Sequence, residues 1–319
     1  MSADAASLHT PVLLRRCCDL LAPAIEGRPD AVVVDATLGM GGHTEELLRR
    51  FENLTVVGLD QDAGAVEKAA ERLTPFGSRI LIEHVRNDRL AEVLAKNGIA
   101  GINGALFDLG VSSMQLDLPE RGFAYSIDAP LDMRMNASSP LTAAEILNTW
   151  DVDAIARVLR DYSGEKFARP IAKAVVRQRS AQPFVSSSQL VELIYEVIPA
   201  PARRVGGHPA KRTFQALRIA VNDELGSLRR ALPQALEATV VGGRVVVMSY
   251  QSGEDSIVKT EFARRTTVDV PANVPLTADQ LHADFVLLTR GAEQASEAEV
   301  AENPRAASVR LRAIERRAA

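Results

Sequence analysis

Cysteine is almost absent from this chain: two in 319 residues, adjacent at Cys17 and Cys18. One adjacent pair cannot build a disulfide framework, and its spacing fits no zinc motif. Both fall in an amphipathic helical pattern over Val12–Leu21, so they are expected to be free thiols, buried or half-buried. Long apolar runs are missing too. Stretches such as Val245–Met248 are far too short to cross a bilayer, so no membrane partner is expected. The opening Met-Ser-Ala-Asp-Ala-Ala-Ser has neither the basic nor the apolar region of a signal peptide, and cytoplasm is the expected location. There is no excess of positive charge: the formal net charge is −4. That argues against bulk electrostatic binding of nucleic acid but leaves room for a local basic face. Internal repeats and low-complexity blocks are also absent. A hydrophobic share of 46% and a charged share of 24% are ordinary for a globular protein, and the length suits one large domain or two moderate ones.

What is present is organised around Asp35-Ala-Thr-Leu-Gly-Met-Gly-Gly-His-Thr44. The apolar run Ala31–Val34 leads into it and reads as a short, fully buried strand of a parallel sheet. The strand ends on a carboxylate. Three glycines then occupy four positions, where they permit a tight turn and let backbone N–H groups approach a ligand. Glu45–Arg50 reads as a helix. Strand, glycine turn and helix form the nucleotide-cradling unit of doubly wound α/β folds.

Other segments repeat that grammar. Thr10 and Pro11 look like the N-cap and first position of a helix. Thr55–Asp60 and Gly104–Asp108 are further strands ending on carboxylates, Ile80–Glu83 is a weaker one, and Ala63–Leu73 and Asp88–Lys96 are helices between them. From about Leu116 to Pro209 no strand pattern appears. Helical patterns at 143–147, 153–159, 166–179 and 188–197 are punctuated by prolines. Sheet grammar then resumes: a helix over Thr213–Leu236, a turn at Val241-Gly-Gly, a fifth strand at Arg244–Ser249 and a helix over Asp255–Ala263. Thr266–Val270 and Ala283–Thr289 are expected to pair as a closing antiparallel hairpin. The polar, basic end from Gly291 reads as partly ordered at best. The fold class is therefore α/β: a Rossmann-like, mostly parallel sheet over 1–115 and 210–319, interrupted by an all-helical domain over 116–209.

Ligands of such sheets bind at the carboxyl ends of strands, here marked by Asp35, Asp60 and Asp108. Asp60 follows Gly39 by 21 residues, a typical distance for a carboxylate that takes ribose hydroxyls. Each of the three could instead cap a following helix. A dinucleotide oxidoreductase shares these features, but the third glycine of G-x-G-x-x-G is replaced by Thr44. S-adenosylmethionine has a ribose, no phosphate and a cationic sulfur that tolerates carboxylates. It is the favoured cofactor, and no metal site is indicated.

At Asp108-Leu-Gly-Val-Ser-Ser-Met-Gln115 the sequence becomes specific. Together with His9–Leu14, Asp35–Thr44, Arg121–Ala124, Pro130–Met135, Tyr162–Ala168, His208–Gln215, Asn222–Glu224, Gly242–Arg244 and Glu302–Arg305, it resembles the bacterial 16S rRNA cytosine-N4 methyltransferase family along nearly its whole length. The resemblance implies a class I methyltransferase sheet split by a helical insertion that recognises substrate. It implies 16S rRNA of the small ribosomal subunit as partner and leaves a homodimer open. Cofactor contacts would fall on Gly41, Gly42, His43, Asp60, Asp108 and Gln115. Another falls on Asn87, where the family usually has an aromatic beside the adenine. Gln251 and Gly253 also depart from the usual histidine and leucine.

An exocyclic amine is a weak nucleophile and must be aimed in line at the methyl carbon. Asp108 is the candidate acceptor that orients it, a positioning group first and a base second. Ser112 and Ser113 either help hold the base or satisfy the turn. Lys166, Arg169, Lys173 and Arg177, and Arg203, Arg204, Lys211 and Arg212, are candidates for phosphate contact, although a charge run is usually a solvated face. Two alternatives stand beside this reading: a non-catalytic cofactor-binding assembly factor, and an N4-cytosine methyltransferase acting on another nucleic acid.

Overall fold

A computed structural model describes residues 11–112, 115, 118–204, 207–267 and 283–317. The chain forms two compact units, Met1–Gly110 with Leu225–Ala319, and Val111–Glu224.

The first unit contains α1 (Leu14–Ile25), β1 (Ala31–Asp35), α2 (Gly42–Arg50), β2 (Leu54–Asp60), α3 (Ala63–Leu73), β3 (Ile80–His84), α4 (Leu90–Lys96) and β4 (Ile102–Asp108). The second contributes α5 (Ala143–Thr149), α6 (Val152–Ser163), α7 (Ala168–Arg179), α8 (Ser187–Val197), the single turn α9 (Ala200–Arg203) and α10 (Lys211–Asn222). α11 (Glu224–Ala238) leads back to β5 (Thr239–Ser249), α12 (Ser252–Thr266), β6 (Phe285–Leu287), α13 (Glu297–Glu302) and β7 (Arg310–Arg316).

Among the described residues, seven strands lie in the order β3-β2-β1-β4-β5-β7-β6. The first five are parallel, and β7 runs antiparallel to both neighbours. Successive strand residues face opposite sides. Val33, Val56, Leu106 and Val246 bury against α1, α2 and α3 on one face. Val34, Val57, Phe107 and Val247 bury against α4, α11 and α12 on the other. Two covered faces explain why the strands read as continuous apolar runs. Cys17 and Cys18 are free and buried in the first of these layers, and burial pushes the Cys18 thiol up to about 12. Among the described residues, no helix is long and apolar enough to cross a membrane.

Several elements differ from the sequence expectation. β6 pairs antiparallel with β7; of the expected partner strand 266–270, Thr266 ends α12 and 268–270 lie outside the described residues. The basic C-terminal stretch is ordered as β7. Its sequence Arg-Leu-Arg-Ala-Ile-Glu-Arg buries Leu311, Ala313 and Ile314, while Arg310 and Arg312 pair with Asp255 and Glu315 pairs with Arg244. Partnering of the charges is what lets so polar a strand lie next to β5. The Gly242-Gly243 turn is an irregularity inside β5, where the pairing skips from Thr239 opposite Ile102 to Arg244 opposite Gly104. The helix read over 213–236 is two helices broken at Asp223, whose φ is 49°. The expected N-cap Thr10 lies outside the described residues, and Pro11 precedes α1, which starts at Leu14.

In the second unit, α5–α8 and α10 enclose their own core of Ile146, Ile155, Leu159, Ile171, Val175, Leu190, Phe214 and Leu217. Family-matching segments lock its loops. Gly122 sits at φ 70°, and a Cβ there would fall 2.0 Å from the Pro130 carbonyl oxygen. Arg121 donates to the Arg134 and Met135 carbonyls, and Asn222 exchanges hydrogen bonds with Met133 and Met135.

Candidate active site

The strand order reverses at β1, which lies between β2 and β4. This is the switch point at which α/β sheets bind ligands, and the three strand-end carboxylates sit there in different surroundings.

Asp35 is fully buried. It accepts the Thr44 hydroxyl at 2.7 Å and the Thr37 N–H at 3.3 Å, tying the end of β1 to α2. Burial raises its pKa above the usual carboxylate range. Its oxygens serve the fold. Asp60 accepts the Gly39 N–H at 2.8 Å and the Asp62 N–H at 2.9 Å, one on each oxygen. A carboxylate has about four lone-pair sites, so each oxygen retains acceptor capacity. Burial raises this carboxyl to about 6, opposed by the two N–H donors. The cap of α3 is Asp62, which accepts from the Gly64 N–H, so Asp60 is not held back as a helix cap.

Asp108 ends β4 with its side chain 27% exposed. The Tyr250 hydroxyl donates to Oδ1 at 2.7 Å, and Nδ1 of His43 stands 3.8 Å from Oδ2. Burial raises the Asp108 pKa, while His43 and Tyr250 lower it. His43 is buried on the first turn of α2, with Nε2 3.1 Å from the Val12 carbonyl.

The glycines divide their work. Gly41 caps α2 at φ 78°, and a Cβ there would meet Leu73 at 2.9 Å; one on Gly42 would meet Pro11 at 2.5 Å. Gly41 is therefore required by packing and by its backbone conformation, and Gly42 by packing. Gly39, at φ 53°, is the one whose missing side chain leaves open space. Gly39 is thus the one of the three with room beside it, while Gly41 and Gly42 face Leu73 and Pro11.

Asn87 follows β3. Its Oδ1 accepts the Ser227 hydroxyl, so its amide N–H₂ remains the group to offer a ligand. Gln251 is the N-cap of α12 in a capping box with Glu254. It is therefore held by the fold. A Cβ on Gly253 would stand 3.1 Å from Leu225, which fills the neighbouring space.

Ser112 and Gln115 belong to the second unit. The Ser112 N–H donates to Gln115 Oε1 at 3.0 Å and the Gln115 N–H to Ser112 Oγ at 3.3 Å. This reciprocal pair matches the reading in which Ser112 satisfies the turn. Ser113 lies outside the described residues. Of the basic residues, Lys166, Lys173, Arg177, Lys211 and Arg212 are exposed, and Arg169 pairs with Asp153. Lys166 precedes α7 instead of lying on it. Arg203 donates to the Ile198 carbonyl and lies over the Tyr195 ring. Tyr250 was missed from sequence. The available signal was its place directly after the fifth strand.

A sheet of this order, with a glycine turn after β1 and acceptor carboxylates ending β2 and β4, defines the class I S-adenosylmethionine-dependent methyltransferases. The particular branch follows from comparison with known proteins. Residues 6–317 match the MraW methylase family, and the chain belongs to it. Over 311 residues it is 57% identical to a Nocardia farcinica protein named ribosomal RNA small subunit methyltransferase H, covering 97% of this chain and 96% of that one. A Nocardioides sp. protein of the same name is 58% identical over 308 residues, again covering 97% and 96%. One from Mycolicibacterium smegmatis is 57% identical over 312 residues, covering 97% of this chain and 84% of its own.

Proposed function

We propose that this chain transfers the methyl group of S-adenosylmethionine to the exocyclic N4 amine of a cytidine in small-subunit rRNA, in the cytoplasm. The observation that carries the proposal is the contrast among the strand-end carboxylates: Asp35 is enclosed, whereas Asp60 and Asp108 present oxygens with acceptor capacity on either side of β1. The names of the relatives supply the substrate class, and the Asp108–Gln115 segment supplies the cytosine amine.

The residues present fit the cofactor. Asp60 has acceptors for both ribose hydroxyls, Gly39 opens the turn, and Asn87 offers an amide to the adenine. Gly41, Gly42 and His43 begin α2, whose N-terminal dipole suits the amino-acid carboxylate. Gln115 is the remaining contact in this assignment. When bound, the cofactor supplies a methyl group on a cationic sulfur. Asp108 accepts an N–H of the amine, directs its nitrogen at that carbon, and takes the proton released. Ser112 shapes the turn beside it in sequence. The unit Val111–Glu224 recognises the RNA, with Lys211 and Arg212 as phosphate contacts. Mass spectrometry of small-subunit rRNA nucleosides from cells with and without the gene tests the proposal. Loss of N4-methylcytidine supports it, and an unchanged nucleoside profile overturns it.

A further inference from the structure

The surroundings of Asp108 distinguish its two oxygens. The Val12 carbonyl can only accept, so Nε2 of His43 carries a hydrogen and Nδ1 is the nitrogen that faces Oδ2. At 3.8 Å that contact is too long for a hydrogen bond. Oδ1, by contrast, takes a full hydrogen bond from the Tyr250 hydroxyl at 2.7 Å. Tyr250 is fixed at its backbone, where Glu254 Oε2 accepts its N–H at 2.8 Å within the cap of α12. Its ring lies against Gly110, two residues beyond Asp108.

We propose that Tyr250 is a positioning residue for methyl transfer: its hydroxyl commits Oδ1 of Asp108 and so selects Oδ2 as the oxygen that takes the N–H bond, and then the proton, of the substrate amine. The inference rests on the function proposed above. The amine nitrogen gains one bond to carbon and gives up one hydrogen as a proton. The electrons of the carbon–sulfur bond that breaks stay on sulfur and cancel its charge. The proton passes to Oδ2, with His43 Nδ1 and solvent as the next acceptors. The other titratable groups near this carboxylate are Asp35 at the end of β1 and Cys17 on α1, and burial keeps the Cys17 thiol neutral. Burial disfavours the Asp108 charge, which makes the donor on Oδ1 more important for keeping Asp108 ionised.

Tyr250→Phe keeps the ring and removes the donor. A hydrogen bond to the charged form lowers a carboxyl pKa, so its loss should raise the titration midpoint of the Asp108 carboxyl. Carbon-13 labelling of aspartate side chains, with the Asp108 signal identified by its absence in Asp108→Asn, reads this directly on the free enzyme. We expect an upward shift of about one pH unit. The acid limb of the saturated single-turnover rate should move by the same amount, and affinity for S-adenosylhomocysteine should stay within about twofold. An unmoved carboxyl titration and pH profile in a folded Tyr250→Phe would overturn the inference, as would a loss confined to cofactor affinity. If the wild type transfers no methyl to rRNA, the proposed function fails, and the carboxyl titration still decides whether Tyr250 governs Asp108.

Discussion

The two units use polar side chains in opposite ways. In the sheet unit, Asp60 and Asp108 keep acceptor capacity at the ends of β2 and β4, and burial holds both pKa values up. In the helical unit, polar residues of the family-matching segments turn inward onto backbone. Asn222 binds Met133 and Met135, and Arg121 binds the Arg134 and Met135 carbonyls. The lysines and arginines left at its surface, Lys166, Lys173, Arg177, Lys211 and Arg212 among them, are exposed. A polar residue within a sequence motif is thus a poor guide to chemistry until its partners are known.

The comparison breaks most sharply at Asp108. Asp108→Asn keeps the shape and one acceptor oxygen but loses the charge, and saturated turnover should fall about 10²-fold. Cofactor affinity should change far less. Single-turnover transfer with separately measured binding checks this, and an unchanged saturated rate would reduce Asp108 to a cofactor ligand.

For the helical unit the counterpart is Asn222→Ala. It leaves the Met135 N–H and Met133 carbonyl without their buried partner, at a cost of roughly 2 kcal/mol. Urea unfolding should show that loss while calorimetric cofactor affinity holds. Weakened cofactor binding without loss of stability would contradict the division between the units.

Asp60→Ala should weaken S-adenosylmethionine by about tenfold or more, the worth of one or two charge-assisted hydrogen bonds. In the wild type the acceptor must be ionised, and its carboxyl titrates at about 6. Affinity should therefore be level above that pH and fall towards tenfold per unit below it. Calorimetry from pH 5 to 8 (both values chosen to bracket the midpoint, roughly one to two units either side) would expose a flat profile if Asp60 does not meet the ribose.

The smallest expected effect is at the surface. Replacing Lys211 and Arg212 with alanine should weaken rRNA binding several-fold and lower the salt slope by about 1–2, leaving cofactor affinity unchanged. An unaltered slope would make them an ordinary solvated face.

Apolar runs ending on aspartate made β1, β2 and β4 legible in the sequence, because two buried faces leave no room for polar residues. β7 was not, since four charged residues in Arg310–Arg316 hide an alternation whose partners, Asp255 and Arg244, are distant in the chain. The candidate site was legible as a set of strand ends. Its internal assignment was not: whether an aspartate is enclosed like Asp35 or available like Asp60 depends on donors brought in by folding. The break at Asp223 carries no proline or glycine, and the cap role of Gln251 shows only in its spacing to Glu254.

β4 and β5 are sheet neighbours, yet about seven times as many residues separate them as separate β1 from β2. Closing so long a loop while the intervening chain is unfolded carries about 2 kcal/mol of extra entropy. A helical unit that has already condensed shortens the free chain and removes much of that barrier. A substitution such as Asn222→Ala, which touches no strand, should therefore slow refolding of the sheet.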